Sequence, residues 1–159
     1  RAVAPLMQAQ GAGHIVNVAS FAGIANPPAL ASYNAAKAAV ISLSETLRYE
    51  LHPQIGVSVL CPSFFKTDLL ASSQGHLSEA EQASAPQMVT IMGRLMERAT
   101  VTATDVARDL VDAVLSDRFL VMSHADARAQ ARLKRLSPEL YFRRAQKATA
   151  GFLAPPQQR

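Results

Sequence analysis

Tyr33 and Lys37 stand four residues apart in SYNAAKAAV, residues 32–40. A free phenol has a pKa of ~10, too high for ready proton exchange near neutral pH. Four residues make about one helical turn, so on a helix the phenol and the ammonium share a face. The positive charge then favours the phenolate, and the pair becomes a sound general acid/base. Taken alone, such a pair is more often a lysine snorkelling beside a half-buried tyrosine. Ser20, thirteen residues before Tyr33, changes the weighting. Its hydroxyl next to a phenol could hold a carbonyl or alcohol oxygen while charge moves onto it.

These side chains need elements to bring them together. Residues 1–10 read as the end of a helix interrupted by Pro5, and GAG (11–13) as a turn. HIVNVAS (14–20) carries Ile15, Val16 and Val18, the signature of a short buried strand that ends on Ser20. FAGIANPPALAS (21–32) reads as a loop. A long helix is expected over 32–51, capped by Ser32, with apolar residues at Ala36, Val40, Leu43, Leu47 and Leu51. Its alanines at 35, 36, 38 and 39 permit close approach by another element. His52-Pro53 ends it. IGVSVLCP (55–62) is a second apolar, β-branched strand closed by Pro62. Strand, helix and strand joined tightly make a βαβ unit with a parallel pair. In such sheets ligands bind beyond the carboxyl ends of the strands, where Ser20, Tyr33 and Lys37 would converge.

Further along, residues 63–100 are less regular, with helical spacing at Met88, Met92 and Leu95. TATDVARDLVDAVLSD (102–117) predicts a helix with Val106, Leu110 and Val114 on one face, opened by Thr102 and Asp105 in a capping-box arrangement. RFLVMS (118–123) reads as a third strand. Residues 124–159 read as one or two basic helices around Ser137-Pro138, with a disordered APPQQR end.

Three of these stretches together resemble the short-chain dehydrogenase/reductase family. IVNVAS with Gly23 resembles the strand that ends in Asn-x-Ser-Ser in that family. YNAAK matches its Tyr-x-x-x-Lys, and VLCPSFFKT its strand ending in Pro-Gly with a nearby Thr. The motifs come in the family's order and spacing, over about residues 1–123. The fold implied is α/β, part of a Rossmann-type doubly wound parallel sheet of about three strands with flanking helices. Residues 1–123 would be the carboxyl-terminal part of that domain, and 124–159 a basic helical extension. The function implied is NAD- or NADP-dependent hydride transfer between an alcohol and a ketone or aldehyde.

The resemblance assigns Tyr33 as proton donor or acceptor, Ser20 as the residue positioning the substrate oxygen, and Lys37 as partner of Tyr33 and of the nicotinamide ribose. Pro62, Ser63, Phe65 and Thr67 would line the nicotinamide side. Phe21, Phe64, Leu69 and Leu70 would meet the substrate, weakly suggesting an apolar one. A homodimer or homotetramer of the complete protein is also implied. Two departures are small: Ala19-Ser20 replaces Ser-Ser, and Pro62-Ser63 replaces Pro-Gly. A third is large. The family's Thr-Gly-x-x-x-Gly-x-Gly phosphate loop is missing, because Gly11 and Gly13 precede a strand instead of following one. The family's upstream catalytic Asn would fall before Arg1. The expectation is therefore a fragment that holds the acid/base site. Its rival is a non-catalytic α/β piece that needs the missing half to bind a cofactor.

Composition excludes other classes. The apolar fraction of 49% and charged fraction of 18% are those of a globular protein. No apolar run reaches the ~18–20 residues of a transmembrane helix, and the first residues are not a secretory signal. The single cysteine, Cys61, rules out a disulfide scaffold and points to the cytoplasm; ending a buried strand, it reads as core and not nucleophile. His14, His52, His76 and His124 lack metal-ligand spacing, so no metal is expected. There is no Gly-x-Ser-x-Gly hydrolase elbow.

The net charge of +4 is uneven: residues 1–117 hold 7 Lys/Arg and 10 Asp/Glu, whereas 118–159 hold 9 and 2. Arg128, Arg132, Lys134, Arg135, Arg143, Arg144 and Lys147 alternate with Leu133, Leu136, Leu140, Tyr141 and Phe142. Helices packed on the body or a partner are favoured over contact of this tail with a membrane surface. Nucleic acid is not expected, for want of a reader motif.

Overall fold

A computed structural model describes residues 3–65 and 93–153. The expectations at Thr67, Leu69, Leu70, Met88, Met92 and APPQQR lie outside the described residues.

The first helix, α1, spans Val3–Gln10. Pro5 lies within it and does not interrupt it as expected. Strand β1 follows at Gly13–Val18, then a short α2 at Ala22–Ala25, the long α3 at Ala31–Leu51 and strand β2 at Ile55–Leu60. Helix α4 covers Ala103–Leu115, β3 Leu120–Val121, α5 Ala125–Leu136 and α6 Pro138–Leu153. The sheet order is β1-β2-β3, all parallel, with Asn17 opposite Val59 and Val59 opposite Leu120. Two successive βαβ units share β2: the residue pattern predicted the first, and the family resemblance implied the three-stranded parallel sheet.

Alternation along β2 separates the two faces. Ile55, Val57, Val59 and Cys61 pack toward α3, with Leu47, Leu51, Val40 and Ile41 as partners. Leu60 turns the other way, onto Val106 and Ala113 of α4. Helices therefore cover both faces, and the sheet is doubly wound. Burying four such side chains on the α3 face contributes roughly 1.5–3 kcal/mol each to the gross driving force.

Several local expectations need correction. Residues 21–32 include α2, because Ser20 and Phe21 carbonyls accept from Gly23, Ile24 and Ala25 amides and close a helical turn. Leu30, not Ser32, occupies the α3 cap position, without a side-chain bond. The helix begins one residue earlier than predicted, and Ser32 falls inside it. The predicted α3 stripe is only half right: Val40, Leu47 and Leu51 face the sheet, whereas Ala36 and Leu43 are exposed. Ser44 takes the buried place beside Leu47, donating to Val40 O at 2.6 Å and accepting from Asn17 Nδ2 at 3.0 Å. Strand β3 is two residues long, although Phe119 O and Val121 O still accept from Val59 and Cys61. The α4 cap is as predicted: the Thr102 hydroxyl accepts from the Asp105 amide at 3.2 Å, and the Asp105 carboxylate from the Thr102 amide at 3.0 Å.

Candidate active site

The carboxyl ends of β1 and β2 are stitched together. Ala19 N–H donates to Leu60 O at 2.8 Å and Phe21 N–H to Pro62 O at 2.9 Å. Ser20 lies between these two bonds, so the sheet itself fixes where its side chain starts. The Ser20 hydroxyl accepts from Ala22 N–H at 3.1 Å. That bond leaves the hydroxyl hydrogen for another acceptor.

Helix α3 brings Tyr33 and Lys37 to the same end. Lys37 Nζ reaches back to Val18 O, two residues before Ser20, at 3.3 Å, and stands 5.7 Å from the centroid of the Tyr33 ring. Tyr33 is 39% exposed, so its phenol faces an open side. Its neighbour Asn34 is buried and donates to Pro27 O at 2.8 Å, fastening the turn that precedes the helix.

Gly23 is what lets the Ser20 turn lie against this helix. A Cβ there would sit 2.7 Å from the Lys37 carbonyl carbon and 2.8 Å from the Ala38 nitrogen. Both are backbone atoms and cannot give way, so close approach is the reason for glycine here. Ala38 answers it from the helix side. The alanine-rich run thus does admit a close neighbour, and the neighbour is α2.

Beneath the site, Cys61 is fully buried, and burial pushes its thiol up to about 12, with the Ser20 amide and the Lys37 ammonium pulling weakly the other way. It is a core residue and no nucleophile, as predicted.

The segment after β2 is pinned by a residue that sequence reasoning passed over. His124, buried at the start of α5, accepts from Ser63 N–H through Nδ1 at 3.4 Å and donates to Phe64 O through Nε2 at 2.9 Å. Those partners place the ring's N–H on Nε2, facing Phe64 O. Only a histidine just past a strand signalled it, and that is weak. Phe65 packs on the α4 side, against the cluster of Leu60, Val106 and Val121. Phe21 and Phe64 are half-buried at the strand ends. Among the described residues no group of His, Cys, Asp and Glu could hold a metal.

Comparisons with known proteins bear on the family and the fold. A family model described as short chain dehydrogenase matches residues 1–78. An 11-beta-hydroxysteroid dehydrogenase-like protein of Arabidopsis thaliana is 32% identical over 133 residues, covering 80% of this chain and 38% of that protein. The crystal structure of a short-chain dehydrogenase/reductase from Burkholderia phymatum in complex with NAD superposes with a TM-score of 0.73 at 36% identity. It covers 86% of this chain and 52% of the other. A short-chain dehydrogenase from Sphingobium yanoikuyae in complex with NADPH shares the fold at a TM-score of 0.60 and 22% identity, covering 99% of this chain and 52% of that one. The chain spans about half the length of these relatives or less. The family match, the relatives and the shared fold lead to one conclusion: this chain belongs to the short-chain dehydrogenase/reductase family.

Proposed function

We propose that this chain carries the acid/base half of an NAD(P)-dependent oxidoreductase that interconverts an alcohol and a ketone or aldehyde. The observation that carries the reading is the position of Lys37, within reach of both the Tyr33 ring and the backbone two residues from Ser20. In the reductive direction Tyr33 Oη holds the proton delivered to the substrate oxygen. Ser20 Oγ, steadied by Ala22 N–H, donates a hydrogen bond to that oxygen as charge builds on it. The Lys37 ammonium stabilises the negative charge left on the phenolic oxygen.

The donor set fits one end of a nicotinamide cofactor. Lys37 Nζ would hold the nicotinamide ribose, and Pro62 and Ser63, with Phe65 and Thr67 following, would border the ring. The described strand ends offer no glycine-rich cradle for a pyrophosphate, so no role is derived for that end. When bound, the nicotinamide supplies or accepts the hydride. Relatives that bind NAD and NADPH support either form. Phe21, Phe64, Leu69 and Leu70 favour an apolar small molecule, and the single buried thiol is in keeping with a cytoplasmic site of action.

The test is Tyr33→Phe in the gene's full product. Turnover should fall by about 10²–10⁴-fold, while cofactor affinity measured by fluorescence transfer stays within a few-fold. Equal turnover in variant and wild type would refute the assignment.

A second reading has its own support. Strand β1 is an edge strand of the described sheet, and Val18 at its end is 56% exposed. On this reading the 159 residues alone are a non-catalytic piece. Titrating the isolated chain with NADH and with NADPH separates the two: tight binding by the chain alone excludes the second reading.

A further inference from the structure

The basic helices α5 and α6 are not merely a solvated extension. Three polar contacts run from them to one place, the carboxyl end of α2. Lys134 Nζ donates to Ile24 O at 2.6 Å, and Tyr141 Oη donates to Ala25 O at 2.9 Å. Oriented so that its carbonyl faces the ammonium, the Asn26 side chain accepts from Lys134 at 2.9 Å and donates to Ala22 O at 3.2 Å. Asn26 itself adopts the left-handed conformation, with φ of 55°, that ends the helical turn. The carbonyls a four-residue helix leaves open are thus met by the tail.

The grip is built for a fixed position. Lys134 Nζ also lies 5.6 Å from the ring centroids of both Tyr141 and Phe142, whose rings meet edge to face. No carboxylate pairs with it among the described residues. The ammonium is held by carbonyl dipoles and aromatic faces, a partly dry setting in which such contacts are stronger than at an open surface. Tyr141 is buried. At its other end α2 supplies Ala22 N–H to the Ser20 hydroxyl, and Gly23 locks its middle against Lys37.

We propose that the α5–α6 hairpin positions Ser20, with Lys134 and Tyr141 clamping α2 so that the Ser20 hydroxyl is held on its Ala22 N–H. The proposal rests on the reading of Ser20 as the residue that orients the substrate oxygen. Lys134 and Tyr141 are positioning residues: they touch α2 and no reacting atom.

The test compares Lys134→Met and Tyr141→Phe with wild type in the gene's full product, each also in a Ser20→Ala background. Amide hydrogen exchange over residues 20–26 should accelerate about tenfold in both variants, with α3 and β2 unchanged. The value of kcat should fall about five- to tenfold, with KM for the cofactor within about twofold. In the Ser20→Ala background neither variant should lower kcat further, because the clamp acts through Ser20. Unchanged exchange at 20–26, faster exchange across the whole sheet, or an undiminished kcat loss in the Ser20→Ala background would each overturn the proposal. Wild-type turnover in Ser20→Ala alone would instead overturn the functional reading, and the exchange measurement would still decide whether the hairpin holds α2.

Discussion

Strands β1 and β2 look alike as text and differ in the fold. GHIVNV and IGVSVL are six residues each, β-branched and apolar, and lie in register as a parallel pair. Yet Ile55, Val57 and Val59 of β2 are at most 1% exposed, whereas Val18 of β1 is 56% exposed and no residue of β1 is fully buried. The difference is one neighbour. Among the described residues, β2 has a strand on either side and β1 pairs with β2 alone. Burial is a property of the sheet's order, which six residues do not contain. The candidate site residues straddle this difference: Ser20 follows the edge strand of the described sheet, and Pro62 and Ser63, the candidates for the cofactor side, follow the central one.

The sharpest way to break the comparison is chemical labelling. Cys61, just beyond β2, should react with a thiol reagent about a thousandfold more slowly than a cysteine placed by Val18→Cys, since a thiol held near 12 offers little thiolate. Similar rates would mean the end of β2 is open. Repeating the Val18→Cys labelling on the gene's full product sharpens the point, because a strand added beside β1 would slow it.

Stability should follow the same division. Ile55→Ala should cost about 2–5 kcal/mol by urea unfolding, and Val18→Ala within about 0.5 kcal/mol. Equal losses would contradict the edge position. Gly23→Ala, where the Ser20 turn meets α3, should cost about 1–3 kcal/mol through overpacking against the Lys37 backbone. Hardly any loss would show that α2 can stand further from the helix.

The smallest effect concerns a bond across the two strands. Ser58 donates to Arg118 O at 2.7 Å, so His14 of β1 must donate to Ser58 Oγ, at 2.8 Å. Burial chiefly lowers the His14 pKa, with the Asp117 carboxylate opposing and the Arg48 guanidinium adding to it. The folded chain then binds that proton more weakly than the unfolded chain. Its contribution is present above the unfolded value of ~6.5 and fades as the pH drops below it. Asp117, whose carboxyl Arg48 holds down through a two-pronged ion pair at 2.8 and 2.9 Å, works in the same direction at lower pH. Unfolding midpoints taken between pH 8 and 5 should decline, and His14→Gln should flatten the upper part of that decline. A flat wild-type profile would remove His14 from the interface.

Much of the site was legible because it is local. Tyr33 and Lys37 share a helix face by spacing alone, and Thr102 with Asp105 announces the start of α4 within four residues. Gly23 was visible only as part of a motif; its reason, a clash with the Lys37 backbone, needed two elements in place. Ser44 shows a different limit. A serine in an apolar stripe looks like an interruption, yet it is fully buried because Asn17, twenty-seven residues away in the chain, offers an amide. The basic tail was legible in outline, as helices packed on the body, but not in its contacts. Lys134 counts as one of a run of cations by sequence, and in the fold it sits between two rings and the end of α2.

Residue types and short-range spacing were enough to determine the alternation of strands and helices, the parallel βαβ arrangement and the shared Tyr33–Lys37 face, and the resemblance of three motifs pointed to the family. Tertiary structure alone decided which strand became central in the described sheet, which lysines stayed in solvent, and that the helical turn α2 rather than a bare loop follows Ser20. The physical reason is one of range. Periodicity and capping depend on neighbours within a turn or two, whereas burial and polar pairing depend on what arrives from more than a hundred residues away, as Lys134 and Tyr141 do.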